Sequence, residues 1–418
     1  MKAEIITIGD ELLIGQVINT NQAYIAEQLN SVGVYVEKMT TVGDNEAAII
    51  ESFTSAFTQY DIVCVTGGLG PTHDDITKKI VCKFFDTDLV LHEPTLENVK
   101  ALMARRNIKW IQAAHDQALV PRSCIVIENK YGTAPGMMFE LNGKYFFVMP
   151  GVPFEMKSMV DDFIVPSFTK KNTGIIVRHR TLKTTGIPES LLANEIGDVQ
   201  NVIGTDGTTT LAFLPNPLGT KLRITVRVND AAVAEEKLNF AEKFIRTKAD
   251  KYIYSVDEME LEDVVCALFR ERKLTLATAE SCTGGMIANR ITNVSGSSEY
   301  FLHGFITYSN ESKIEDLGVD KKLIEQHGAV SKEVAEAMAR GAKKVAATNV
   351  AISTTGIAGP TGGSSEKPVG LVWIGYADEN GSFALKFNFG DNRLRFKERT
   401  SQAALELLRK KILKLDTK

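Results

Sequence analysis

Cysteine is scarce in this chain, with five in 418 residues at positions 64, 82, 124, 266 and 282, odd in number and never spaced C-x-x-C. That count and spacing suggest neither a disulfide framework nor a cysteine zinc site. Long apolar runs are missing as well: none approaches the roughly 18 residues that span a bilayer. The opening MKAEIITIGDELL carries Glu4 and Asp10 where a signal peptide needs an unbroken apolar stretch. The expectation is a cytoplasmic protein with no membrane partner. A charge excess of either sign is also lacking, since 48 Lys and Arg face 52 Asp and Glu for a net charge of −4. That balance gives no support to a broad nucleic-acid-binding surface. Low-complexity tracts and internal repeats are absent, and 44% hydrophobic with 24% charged residues is ordinary for globular protein.

What is present is a length worth two to three domains at about 150 residues each. Residues 1–171 alternate strand and helix: strands at 3–8, 34–36 and 62–65, helices at 21–31, 45–57 and 76–85, then a helical stretch over 94–118 and strands near 124–127 and 145–149. Residues 172–256 read as a small α+β module of βαββα order, KH-like in that order. Its strand 221–228 places Lys221, Arg223 and Arg227 on one face and Leu222, Ile224, Val226 and Val228 on the other. That basic face is a solvated or interdomain surface, or a nucleic-acid contact. Residues 257–418 return to α/β, with strands at 274–278, 304–308, 350–353, 371–376 and 382–389. Helices are expected from Cys282 to 291, over 331–345 capped by Ser331, and from Phe396 to the end.

The segment ATAESCTGG is the most chemically loaded. A strand ends at Glu280 and a glycine-rich turn opens a helix, so Ser281, Cys282 and Thr283 sit where backbone N–H groups favour negative charge. That suits a nucleophile beside an oxyanion hole, a bound phosphate, or a capped turn with nothing bound. TYSNESK supplies Tyr308 and Lys313, and a buried lysine with a lowered pKa serves as base for a serine. STTGIAGPTGG supplies Thr355, Gly356 and Gly359 in a loop open to close approach by a ligand, and GDNRLRFKERT adds Arg393, Arg395 and Arg399 as phosphate clamps. Cys282 is the rival nucleophile, because a thiol at such a turn is readily activated. In the N-terminal region GGLGPTHDD joins a glycine cradle to paired carboxylates Asp74 and Asp75, a pattern suited to a divalent cation bridging to phosphate, or to a helix cap with a solvated neighbour.

The stretches ESCTGG, FITYSNESK, QHGAVS, TGIAGPTGG with EKPVG, and GLVWIG together closely resemble the C-terminal domain of the CinA (competence/damage-inducible) family. That resemblance implies hydrolysis of nicotinamide mononucleotide to nicotinate mononucleotide and ammonia, with no cofactor. It implies Ser281 as nucleophile, Tyr308 and Lys313 as the groups that activate it, Thr355 near the reacting carboxamide, and Cys282, Thr283, Gly284, Gly285, Gly356 and Gly359 around the substrate. Arg393 is the implied phosphate ligand, with Arg395 as the alternative because GDNRLR holds one residue more than Gly-Asp-Arg. GDELLIG, Thr20–Asn21, GGLGPTHDD and MPGVPFEM resemble the molybdopterin-binding α/β sandwich of the MoaB/MogA type found at the N-terminus of CinA proteins. There the resemblance implies metal-dependent hydrolysis of ADP-ribose. A divalent metal of the Mg, Mn or Co type would be held among Asp10, Glu11, Asp74, Asp75 and Glu155, and the nucleotide by Gly67, Gly68, Gly70, Thr72 and Asn21. A homodimer is implied too. Two other readings stay open: a catalytically silent N-terminal scaffold that binds pterin or nucleotide, and a competence-associated protein that touches DNA.

Overall fold

The computed structural model describes residues 1–70, 75–105, 112–171 and 174–415. The chain divides into two compact units. One comprises Met1–Arg178 with Val226–Glu235, the other His179–Thr225 with Glu236–Lys418.

The first unit is built on a six-stranded sheet in the order Tyr35–Val42, Lys2–Ile8, Ile62–Thr66, Lys144–Met149, Gly136–Leu141, Ile125–Ile127. The first four run parallel, Gly136–Leu141 is antiparallel to both of its neighbours, and Ile125–Ile127 therefore runs with the first four. Both faces of the sheet are covered, which is why strand Ile62–Thr66 is buried at every position rather than alternating. Ile5, Cys64 and Phe147 pack with Ile25, Leu29 and Met156 on one side, and Ile6, Val63 and Phe146 with Ile49 and Phe53 on the other. Helix Thr20–Ser31 starts where the Asn19 side chain accepts the Gln22 N–H. It ends before Gly33, whose φ of +82° is open to glycine at little cost. The helical stretch expected over 94–118 resolves into helices Glu93–Arg105 and Gln112–Gln117. Two short strands missed by the sequence pattern, Leu89–Leu91 and Leu119–Pro121, pair antiparallel beside them; three residues are too few to display a period.

The small middle sheet runs Thr209–Asn216, Gly219–Val228, Ile176–Thr184, Ile253–Val256. Its fourth strand corrects the expected βαββα order, which ended at the helix Ala231–Ala249; four residues following that helix pair with Ile176–Thr184. Leu222, Ile224 and Val226 are buried as the alternation requires, while Arg223 and Arg227 are exposed.

The C-terminal sheet runs Phe301–Ile306, Leu276–Glu280, Val350–Gly356, Leu371–Asp378, Gly381–Asn388. The first three strands are parallel, Leu371–Asp378 is antiparallel to both of its neighbours, and Gly381–Asn388 therefore runs with the first three. Ala277, Ala279 and Ala351 pack under Val334, Met338 and Ala342 of helix Lys332–Ala346, and Leu276 and Ile352 pack with Val265, Phe269, Leu405 and Leu408 on the opposite face. The Ser331 cap read from the sequence accepts the Val334 N–H. The carboxyl ends of the three parallel strands lie together, at Glu280, Ile306 and Gly356, and ligands of open α/β sheets bind at that end.

Candidate active site

A cavity of about 200 Å³ opens beyond those three strand ends, lined by Ser281, Cys282, Tyr308, Asn310, Lys313, Ala329, Val330, Thr355, Gly356, Ala358 and Arg393. Ser281 follows strand Leu276–Glu280 directly, and its N–H donates to Thr354 O at 3.0 Å, which fixes the residue against the neighbouring strand. Lys313 comes from helix Asn310–Leu317, whose cap is Ser309. Its side chain is only 1% exposed, and Nζ lies 3.3 Å from Ser281 Oγ, 2.9 Å from Thr307 O and 3.1 Å from Ser309 O. Burial pushes the Lys313 pKa below the usual lysine value, with Cys282 and Glu311 opposing in part. Thr355 Oγ1 donates to Ala329 O at 2.7 Å and ties the strand end to the HGAVS loop. Arg393 donates from one guanidinium nitrogen to Gly359 O at 3.1 Å and from the other to the Tyr308 hydroxyl at 2.9 Å.

Residues 281–285 form a turn, and the helix itself begins at Met286. Gly284 and Gly285 have φ of +58° and +89°, so the expected helix start at Cys282 is displaced by a turn that only glycine enters cheaply. The first helical N–H groups are not open to a substrate: the Glu280 carboxylate, itself buried, accepts those of Ile287 at 3.1 Å and Ala288 at 2.8 Å. Gly284 N–H closes the turn onto Ser281 O. The N–H groups of Cys282 and Thr283 donate to no backbone carbonyl among the described residues. Burial pushes the Cys282 thiol up to about 12, the opposite of the activation that a nucleophilic cysteine needs.

In the first unit a larger cavity, about 450 Å³, sits at the carboxyl ends of strands Lys2–Ile8, Ile62–Thr66 and Lys144–Met149. Glu11, Asn21, Gly67, Gly68, Gly70, Asp75 and Glu155 line it. A methyl group on Gly67 would lie 2.1 Å from Ile8 O, so the backbone there passes too close for any side chain. Asn21 Nδ2 donates to Gly151 O at 2.8 Å and to Thr66 Oγ1 at 3.2 Å. Two of the acids have protein partners. Asp10 exchanges hydrogen bonds with Asp44, each carboxylate accepting the other's N–H, and Glu155 accepts from Asn129 Nδ2 at 2.7 Å. Among the described residues no three acids, histidines or cysteines meet as a metal-holding group.

Three family descriptions match the chain in succession: a probable molybdopterin binding domain over residues 4–170, the damage-inducible protein CinA KH domain over 179–255, and the CinA C-terminal domain over 258–412. A competence-damage inducible protein of Caldicellulosiruptor saccharolyticus is 44% identical over 413 residues, covering 99% of this chain and 100% of that protein. The chain belongs to the CinA family. A CinA-like protein of Chloroherpeton thalassium is 45% identical and covers 98% of this chain and 99% of its own. A solved competence/damage inducible protein from Agrobacterium tumefaciens is 42% identical, covers 35% of this chain and 91% of its own, and superposes with a TM-score of 0.35.

Within this CinA-family chain, Ser281, Tyr308, Lys313 and Thr355 all face one cavity, together with Cys282, Gly356 and Arg393. Gly359 stands behind the Arg393 guanidinium, which its carbonyl accepts. Thr283 turns inward, its hydroxyl 2.8 Å from Thr354 Oγ1, so its side chain braces the turn rather than lining the cavity. Arg395 is exposed and off the cavity, its N–H taken by the Asn392 cap. That cap starts the last helix at Arg393, one turn before the expected Phe396, and leaves Arg393, the implied phosphate ligand, on the cavity lining. In the first unit Asp10 stands off the cavity, while Thr72 and Asp74 lie outside the described residues. Sequence reasoning missed Asn310, the Glu280 carboxylate and Asp44. The Asp44 carboxyl is pushed up by partial burial and by the charges of Asp10, Glu11 and Asp75, against a lowering bond from the Asp10 N–H. Only Asn310 carried a signal, its place inside the SNESK stretch. Among the described residues no helix is long and apolar enough to cross a membrane.

Proposed function

We propose that the C-terminal domain hydrolyses the carboxamide of nicotinamide mononucleotide to nicotinate mononucleotide and ammonia. The observation that carries this reading is the buried Lys313 amine 3.3 Å from Ser281 Oγ at a cavity wall. Neutral Lys313 donates its two N–H bonds to Thr307 O and Ser309 O, which leaves its lone pair for the Ser281 proton. Ser281 Oγ then bonds to the carboxamide carbon. The oxygen that gains charge is received by the Cys282 and Thr283 amides, which donate to no backbone carbonyl among the described residues and are donors of the kind that stabilise such oxyanions. Lys313, or Tyr308 beside it, returns the proton to the amide nitrogen, the C–N bond breaks and ammonia leaves. Water, deprotonated by Lys313, cleaves the resulting ester and restores Ser281. Arg393 holds the phosphate.

For the first unit we propose a pocket that takes ADP-ribose as substrate, with the glycine loop at residues 67–70 against its phosphates. Glu11, Asp75 and Glu155 are oxygen donors of the type that Mg, Mn or Co accept, but among the described residues the acids fall short of a coordination sphere. One reaction panel tests both readings: each nucleotide with and without divalent cation, the products separated by chromatography. Ammonia and nicotinate mononucleotide without metal support the deamidase. AMP and ribose 5-phosphate that appear only with metal support the second activity, and intact ADP-ribose leaves the first unit a binding scaffold. Homodimerisation belongs to the same proposal and is read by light scattering, and a cytoplasmic location by fractionation of cells.

A further inference from the structure

Helix Arg393–Ile412 carries a second cation on the same side as Arg393. Lys397 stands four residues on, the spacing that places two side chains one above the other on a helix face. A methyl group on Gly284 would find only one atom within 4 Å, the Lys397 ammonium nitrogen at 3.6 Å. The lysine therefore reaches the turn that holds Ser281 and Cys282. It is half-buried, yet among the described residues its ammonium makes no hydrogen bond and no ion pair. Two lysines in this unit that are likewise withdrawn from solvent are paired: Lys183 with Glu260 at 2.8 Å and Lys237 with Asp206 at 2.6 Å. A cation that has given up part of its water without gaining a counter-charge is unfavourable in the free protein, and an anionic ligand repairs that deficit.

The size of the cavity says where such an anion would lie. At about 200 Å³ it falls below the roughly 300–1,000 Å³ of pockets that enclose a whole drug-sized ligand. A pyridine carboxamide fits, and the ribose and its phosphate must continue outside. Arg393 is on the lining and Lys397 is not, one turn further along the helix. We propose that Lys397 is a second contact for the 5′-phosphate, acting with Arg393, and that it makes the enzyme prefer the nucleotide to the nucleoside. A dianionic phosphate between a guanidinium and an ammonium is the charge-assisted arrangement these two side chains favour. This inference rests on the deamidase reading.

The test is the kinetics of ammonia release from nicotinamide mononucleotide and from nicotinamide riboside, which lacks the phosphate, with the wild-type chain, Lys397→Gln and Lys397→Arg. Inorganic phosphate serves as competing ligand in each. The expected result for Lys397→Gln is a fall of about 10- to 100-fold in the preference for nucleotide over riboside, the worth of one charge-assisted bond. The fall comes through KM, inhibition by phosphate weakens, and Lys397→Arg recovers most of the preference. An equal fall on both substrates through kcat would assign Lys397 to the reacting centre or to the fold and overturn the proposal, as would an unchanged preference. If the wild-type chain releases ammonia from neither compound, the deamidase reading itself fails, and the inference with it.

Discussion

Lys313 Nζ and Ser281 Oγ stand 3.3 Å apart across 32 residues of chain. The contact depends on two neighbouring parallel strands, Leu276–Glu280 and Phe301–Ile306, that end side by side. Ser281 leaves the first and the Lys313 helix follows the second. Since burial holds the Lys313 pKa below its ordinary 10.5, the neutral base gains population as pH rises through the lowered value. Deamidation is therefore expected to rise with pH, to level off below 10.5 and to fall away on the acid side. Lys313→Ala should cost about 10²- to 10⁴-fold in kcat and remove that acid limb. Lys313→Arg should not rescue it, because a guanidinium does not give up its proton. A pH–rate profile for the three proteins checks all of this.

Cys282 shares the cavity with Ser281 but its thiol is pushed up to about 12 by burial. Cys282→Ser and Cys282→Ala should keep ammonia release within a few-fold of the parent, and the native thiol should react slowly with iodoacetamide at neutral pH. Loss of turnover in both variants with the fold intact would return the nucleophile to the thiol.

Glu280 lies behind the nucleophile and takes the N–H groups of Ile287 and Ala288 in the first turn of helix Met286–Thr292. Glu280→Ala strands both donors in a buried setting and should cost about 1–3 kcal/mol by urea unfolding. Glu280→Gln, which retains one acceptor oxygen, should fall between. The same loosening should lower kcat, because the Cys282 and Thr283 amides hang on this turn.

Arg409 and Glu406 form a buried bidentate pair, at 2.7 and 2.9 Å, and Arg409 also donates to Lys251 O at 2.9 Å at the start of the short strand Ile253–Val256. Arg409→Met leaves the Glu406 carboxylate buried without its partner and should cost about 3–5 kcal/mol. Adding Glu406→Leu should return much of that loss in the same urea titration, whereas a double variant no better than the single would show that packing, not charge, is at stake.

Some of this was legible in the residues alone. Ser281, Tyr308, Lys313 and Thr355 were marked by their motifs, and the strand-then-loop pattern placed Ser281, Tyr308 and Thr355 near sheet ends. The parts that stayed hidden depend on partners far along the chain or on local backbone choices. Glu280 is spent on helix N–H groups because Gly284 and Gly285 delay the helix by one turn. Asp10 looks like a metal ligand in GDELLIG, but Asp44, 34 residues on, claims it. Arg393 lines the cavity as expected, and the alternative Arg395 is left off it because Asn392 caps the last helix early. A four-residue strand such as Ile253–Val256 offers no periodicity to read, and the lone Lys397 ammonium beside Gly284 becomes visible only once the helix face is known.

The most direct test of the central claim is ammonia release from nicotinamide mononucleotide by the wild-type chain and by Ser281→Ala, each shown to be folded by circular dichroism. Turnover without added metal is expected for the first and only background for the second. Equal turnover by both, or none by the wild-type chain, would contradict that claim.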